Sequence, residues 1–148
     1  MGLPILYILM RNDLTSMNPG KAIAQGSHAS NAFVKHIEHH TQNLNSQSNV
    51  SVQDQQIIKS FREWEYSTTQ GFGTVIVLES SYKDILPRVE MFKNLGYITG
   101  IVHDPTYPIL DGSVVHHIPL DTCGYVFVPD KETDISAKIL LCSFSLHK

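Results

Sequence analysis

Lys21, Gln25 and His28 stand at i, i+4 and i+7, so at about 100° per residue they share one narrow stripe of a helix. The segment that carries them, MNPGKAIAQGSHAS over residues 17–30, starts like a helix. Asn18 is suited to the N-cap, where its side-chain oxygen accepts from a free first-turn N–H. Pro19 suits the first helical position, where a missing donor costs nothing. Lys21 then falls in the first turn, where the aligned peptide dipoles favour anions and disfavour cations. Such a lysine is mildly unfavourable unless something negative is meant to arrive. The chemistry on offer is therefore reception of an anion or of developing negative charge, with a smaller basic contribution from Arg11. The plain alternative is an amphipathic helix whose polar margin is only solvated.

The elements that must position these residues follow from hydropathy patterning. Residues 3–10 (LPILYILM) form a nearly continuous apolar run, as expected of a strand buried on both faces. The polar loop RNDLTSMN leads into a helix over residues 19–36, whose apolar, mostly small face is Ala22, Ile23, Gly26, Ala29, Phe33 and Ile37. Residues 41–56 are Asn/Gln/Ser-rich and nearly uncharged, and read as an exposed loop. A second helix is expected over 54–67, with Ile57, Phe61 and Trp64 on one face. Strands follow at 74–78, 97–103 and 124–128, with helices at 82–95, closed by Gly96, and at 133–141. The stretch 104–122 between the last two strands reads as irregular.

Strands alternating with helices imply right-handed βαβ crossovers and helices on both faces of a small sheet. Ligands collect beyond the carboxyl ends of such strands. If the first and third strands run parallel, RNDLTSMNPGK and HDPTYP meet at one edge, which brings Lys21 near Asp104.

The bulk numbers exclude several classes. The 148 residues suit one domain, 1–148, with a real core. No uninterrupted apolar stretch is long enough to span a membrane, and no secretory leader is apparent. Two cysteines, Cys123 and Cys142, make neither a disulfide framework nor a metal-ligand pattern and agree with a reducing, cytoplasmic setting. A net charge of −3 argues against extensive nucleic-acid contact, which draws most of its affinity from Lys and Arg.

Other constellations are weaker. His36, His39 and His40 gather at a helix end and His116–His117 are adjacent, but no Cys or carboxylate completes a ligand set, so no metal is expected. Ser27 and Ser30 lack a nucleophile elbow. The glycines of QGFGT lack a phosphate-loop pattern. Cys123 reads as a small buried residue and Trp64 as core.

The run YILMRNDLTSMNPGKAIAQGSHA resembles the opening of the type 2 peptidyl-tRNA hydrolases. The matching elements are Arg11, Asp13, Leu14, Met17, Gly20, Lys21, Ala24, Gln25, His28 and Ala29. The likeness continues through Trp64, through Gly73 before the strand TVIVL, and to Asp104; the wording is nearest to divergent members carried by large bacteriophages. The resemblance implies an α/β three-layer sandwich around a four-stranded mixed sheet. It implies hydrolysis, in the cytoplasm or a host's cytoplasm, of the ester joining a peptide to tRNA, without metal or organic cofactor. The partner is then tRNA or peptidyl-tRNA, no membrane is involved, and a homodimer is compatible.

The implied roles are specific. Lys21 would meet a substrate phosphate or the developing oxyanion, Asp104 would orient or polarise the attacking water, and Gln25 and His28 would hold the polar network or the tRNA 3′ end. Arg11 and Gly20 would contribute to substrate binding. The chain departs from the family at the acidic loop, where the usual Asp-Ala-Gly-x-Thr is replaced by Asp104-Pro105-Thr106-Tyr107-Pro108. Thr106 would serve with different geometry. For the second family threonine the nearest candidates are Thr122 and Cys123, reached only after the inserted SVVHHIPLD. That altered turn and the acidic charge motivate a rival class, a tRNA- or protein-binding module of the same fold without hydrolysis. A third class is an unrelated hydrolase of small esters.

Overall fold

The structure is a computed structural model and describes residues 2–130 and 134–148. Its elements are β1 (Ile5–Arg11), α1 (Pro19–Asn45), α2 (Val52–Glu65), β2 (Thr74–Ser80), α3 (Tyr82–Asn94), β3 (Thr99–Asp111), β4 (Val114–Val128), α4 (Ile135–Ser143) and β5 (Ser145–Leu146). One mixed sheet in the order β3-β4-β1-β2-β5 runs through the middle. β1 is parallel to β2 and antiparallel to β4, and β4 is antiparallel to β3, so β1 and β3 run the same way, the condition under which their following segments share one edge. The two-residue β5 makes the sheet five-stranded where four strands were expected.

Alternation along β1 divides the core. Leu6, Ile8 and Met10 join α1 and α2 through Ala22, Ala29, Phe33, Ile57 and Trp64. Ile5, Tyr7 and Leu9 join α3 and α4 through Ile85, Val89, Phe92 and Leu140. Strand β1 is thus buried on both faces, which is why its hydrophobicity is unbroken. Phe33 anchors the first layer, stacked on Phe127 at 5.0 Å and edge-on to Trp64 at 5.4 Å. Trp64 is core, and its indole N–H donates to the Thr74 carbonyl at 2.8 Å. Any Cβ on Gly73 would lie 2.5 Å from that ring, so the glycine serves close packing.

Three expectations need correction. Helix α1 does not stop at residue 36 but continues to Asn45, leaving only 46–51 as loop. Ile37 and Leu44, seven residues or about two turns apart, are both buried, so this further apolar contact outweighs the weak propensity of the Asn/Gln stretch. Ile23, assigned to the apolar face, is 74% exposed, and Gln25 is buried instead. The stretch 104–122 is not irregular: β3 and β4 run on as a long hairpin arm closed by Gly112-Ser113, with Gly112 at φ 61. Positive φ at the first loop position is what a II′ turn requires. The last helix begins at Ile135, capped by the Asp134 side chain on Ala137 N; the expected first residue, Thr133, lies outside the described residues.

Candidate active site

The N-terminus of α1 is built as its sequence dictates. Asn18 caps it, accepting from Lys21 N at 2.8 Å, and Pro19 occupies the first turn. Gly20 is exposed there, and its N–H makes no hydrogen bond among the described residues. The Lys21 side chain turns toward β3. Its ammonium donates to the Pro108 carbonyl at 2.7 Å and lies 5.1 Å from the centre of the Tyr107 ring. Tyr107 is fixed in turn, its hydroxyl 3.1 Å from Ser16 Oγ.

One turn further, Gln25 is 2% exposed and bridges two strands. Its Nε2 donates to Asp104 Oδ2 at 2.7 Å, while its Oε1 accepts from the Thr122 hydroxyl at 2.7 Å. Asp104 Oδ1 accepts from Thr106 N at 2.9 Å and from the Thr106 hydroxyl at 3.2 Å. A buried amide satisfied on both sides holds the carboxylate in one orientation.

Two β-bulges aim these groups. On β4, Asp121 and Cys123 oppose the adjacent His103 and Val102, so Thr122 is the extra residue. It faces α1 together with Cys123, whose Sγ is 3.7 Å from the Gln25 carbonyl oxygen. On β3, Pro105 and Thr106 stand opposite Pro119 alone. Bulges re-aim side chains and suit prolines, which cannot donate to a ladder. The DPTYP turn therefore still delivers a threonine hydroxyl to Asp104, two residues on.

Burial pushes the Asp104 carboxyl up, and this is the largest single influence. The hydrogen bonds from Gln25 and Thr106, with the field of His28, outweigh it and hold the group below its ordinary range. His28 itself is exposed on the same stripe. Lys21 and Asp104 both lie where α1 packs against β3, but the ammonium goes to the Pro108 carbonyl and the buried carboxylate to Gln25 and Thr106, so the two do not pair with each other.

Arg11 sits on the other face of the same edge. Its Nε and Nη2 grip Asp13 at 2.8 and 3.1 Å, its Nη1 donates to the Asp121 carbonyl at 3.0 Å, and its guanidinium lies 4.7 Å from the Tyr82 ring centre. The Tyr82 hydroxyl donates to Asp121 Oδ2 at 2.6 Å, and His103 Nδ1 lies 2.8 Å from Asp121 Oδ1. This network braces the residue before the Thr122 bulge. Sequence reasoning missed it, along with Tyr107 and the Pro108 carbonyl, because nothing local marks a bulge.

Arg11 lowers the Asp13 carboxyl through its hydrogen bond, and the Tyr82 hydroxyl lowers that of Asp121. Three carboxyls whose pKa is depressed on folding stabilise the protein above their unfolded value, and that stabilisation is lost as pH falls. Melting temperatures should therefore hold near neutrality and drop progressively below about pH 4. The drop should be smaller in Asp104→Asn; an equal drop would remove Asp104 from this linkage.

The remaining candidates resolve by packing. Burial pushes the Cys123 thiol up to about 12, so it is not a thiolate nucleophile near neutrality. His36 hydrogen-bonds the Tyr125 hydroxyl at 2.8 Å and His40 pairs with Asp54 at 3.1 Å. Among the described residues no three His, Cys, Asp or Glu side chains converge on a metal-sized site, and no helix is long and apolar enough to cross a membrane.

Lys21 at the start of α1 and the hydrogen-bonded carboxylate of Asp104 thus stand at one edge of an open α/β sheet, the lysine held by β3 at Pro108 and the carboxylate by Gln25 and Thr106. Residues 5–115 match the family model described as peptidyl-tRNA hydrolase PTH2, and the chain belongs to that family. No curated protein matches it.

Proposed function

We propose that the chain hydrolyses the ester between the peptide and the 3′ ribose of peptidyl-tRNA, releasing peptide and tRNA. The observation that carries this reading is the buried relay Thr122–Gln25–Asp104, set beside a Lys21 whose ammonium is held at the same strand, β3, by the Pro108 carbonyl. Water adds to the ester carbonyl carbon, the carbon–oxygen bond to the ribose breaks, and the water proton ends on the ribose oxygen. Ester cleavage needs an oriented water and positive charge where the tetrahedral intermediate gathers its negative charge.

Asp104 takes the first task. Its depressed pKa makes it a weak base, so it works chiefly by fixing the water and countering the positive charge the water develops. The Thr106 hydroxyl, 3.2 Å from Oδ1, marks where a second polar contact to that water is available. Lys21 takes the second task, with two ammonium hydrogens left after Pro108 and the Gly20 N–H beside it. Thr122 acts through Gln25, and His28, exposed further along the same stripe of α1, is offered to the tRNA 3′ end. Arg11 supports the bulge from behind; with its donors so engaged, it shapes the binding edge more than it grips phosphate.

Peptide release from purified peptidyl-tRNA is the test. Turnover above the no-protein background by folded wild type is expected. Binding without release would favour the non-hydrolytic module, and release from simple esters alone would favour a general esterase.

A further inference from the structure

The β3–β4 arm is rooted at Tyr107 and Pro108, the two residues that hold the Lys21 ammonium. Cross-strand partners share a face, and faces alternate along each strand. The register pairs Tyr107 with Ile118, Ile109 with His116 and Asp111 with Val114, so all six lie on the face that Tyr107 turns toward Lys21. The 3.5 Å contact between His116 Nε2 and Asp111 Oδ2 agrees with that assignment. Beyond Tyr107 this face is open: Ile118 is 40% and Val114 54% exposed. Residues 105–121 contain no Lys or Arg. With no Lys or Arg the wall lacks the fixed cations on which phosphate binding rests, and its base, formed by Tyr107, Ile109 and Ile118 below the His116–Asp111 contact, suits apolar side chains.

We infer that this face of the arm is the peptide-side wall of the site and favours substrates with an apolar residue next to the ester. The inference rests on the hydrolase reading and names which half of its substrate lies where. With the ester carbonyl at Lys21, the chain attached to that carbonyl runs along the arm. The charged half of the substrate must then leave in the other direction, toward the N-termini of α1 and α3.

The experiment compares N-acetyl-leucyl and N-acetyl-aspartyl esters carried on the same tRNA. Wild type should favour the leucyl ester by about tenfold in kcat/KM, the discrimination a modest apolar contact supplies. Ile118→Ser and Ile109→Ser should bring that ratio toward one. Val115→Ser, on the opposite face of the arm, should leave the ratio unchanged. A wild-type ratio near one, or a ratio that neither isoleucine variant alters, overturns the inference while leaving the hydrolase reading intact.

Should neither ester turn over, the hydrolase reading fails, and the wall is judged by binding alone. The amide-linked 3′-(N-acetyl-leucyl) and 3′-(N-acetyl-aspartyl) derivatives of adenosine would compete for the site, and equal affinities overturn the inference. A dimer in sedimentation that Ile118→Ser dissociates, with the substrate ratio unmoved, would reassign the face to contact between copies.

Discussion

On the proposed mechanism, Asp104→Asn should lower kcat for peptide release by about 100- to 1000-fold with the fold intact, the range expected when a group that orients and polarises the reacting water loses its charge. The substitution is a clean probe because the surrounding hydrogen bonds can reverse. If the new amide oxygen keeps the Thr106 N–H, the amide nitrogen meets Gln25, whose side chain turns over so that Oε1 accepts. Gln25 Nε2 then donates to Thr122, a hydroxyl that accepts as readily as it donates. The displaced hydroxyl proton swings toward Cys123 Sγ, 3.8 Å away. No buried group is orphaned, so stability near pH 7 should stay within about 1 kcal/mol of wild type. Steady-state kinetics with a melting curve on the same preparation checks both halves. Activity within threefold of wild type would remove the carboxylate from the chemistry.

Lys21→Ala separates activity from stability in the same way. Loss of a donor aimed at developing negative charge costs about 3 kcal/mol in the transition state, or about 100-fold in kcat. Stability moves little because two effects oppose. The hydrogen bond to Pro108 is lost, but so is a cation at a helix N-terminus, an arrangement that costs about 0.3–1 kcal/mol. Near-wild-type melting with a collapsed kcat is the expected pairing. A variant that melts several degrees early at unchanged kcat would instead assign Lys21 to holding the base of the arm.

Much of this site was legible one residue at a time. The Asn18-Pro19 start, the misplaced charge of Lys21 and the i, i+4, i+7 stripe are local signals; in the structure Gln25 reaches Asp104, while Lys21 reaches the Pro108 carbonyl of the same strand. The unbroken apolarity of β1 announced a strand covered on both sides. Where the reading fell short, the missing information was not local. Gln25 looked like part of a solvated margin, yet it is buried, because its two partners arrive from β3 and β4, far along the chain. Pro105, Pro108 and Pro119 made the acidic segment read as irregular. Two of them sit at the β3 bulge and its partner position, and the third lies on the edge strand, positions where a missing N–H is tolerated.

By itself, the sequence determined that β1 is buried on both faces, where α1 and α3 begin, and which family the chain belongs to. All three follow from patterns that repeat over a few residues or from a motif met in order. The tertiary structure alone decided how β3 and β4 are staggered, that Thr122 is the extra residue, and that Thr106 reaches Asp104. Strand register is set by packing across the whole sheet, and slipping it by one residue turns every following side chain to the opposite face.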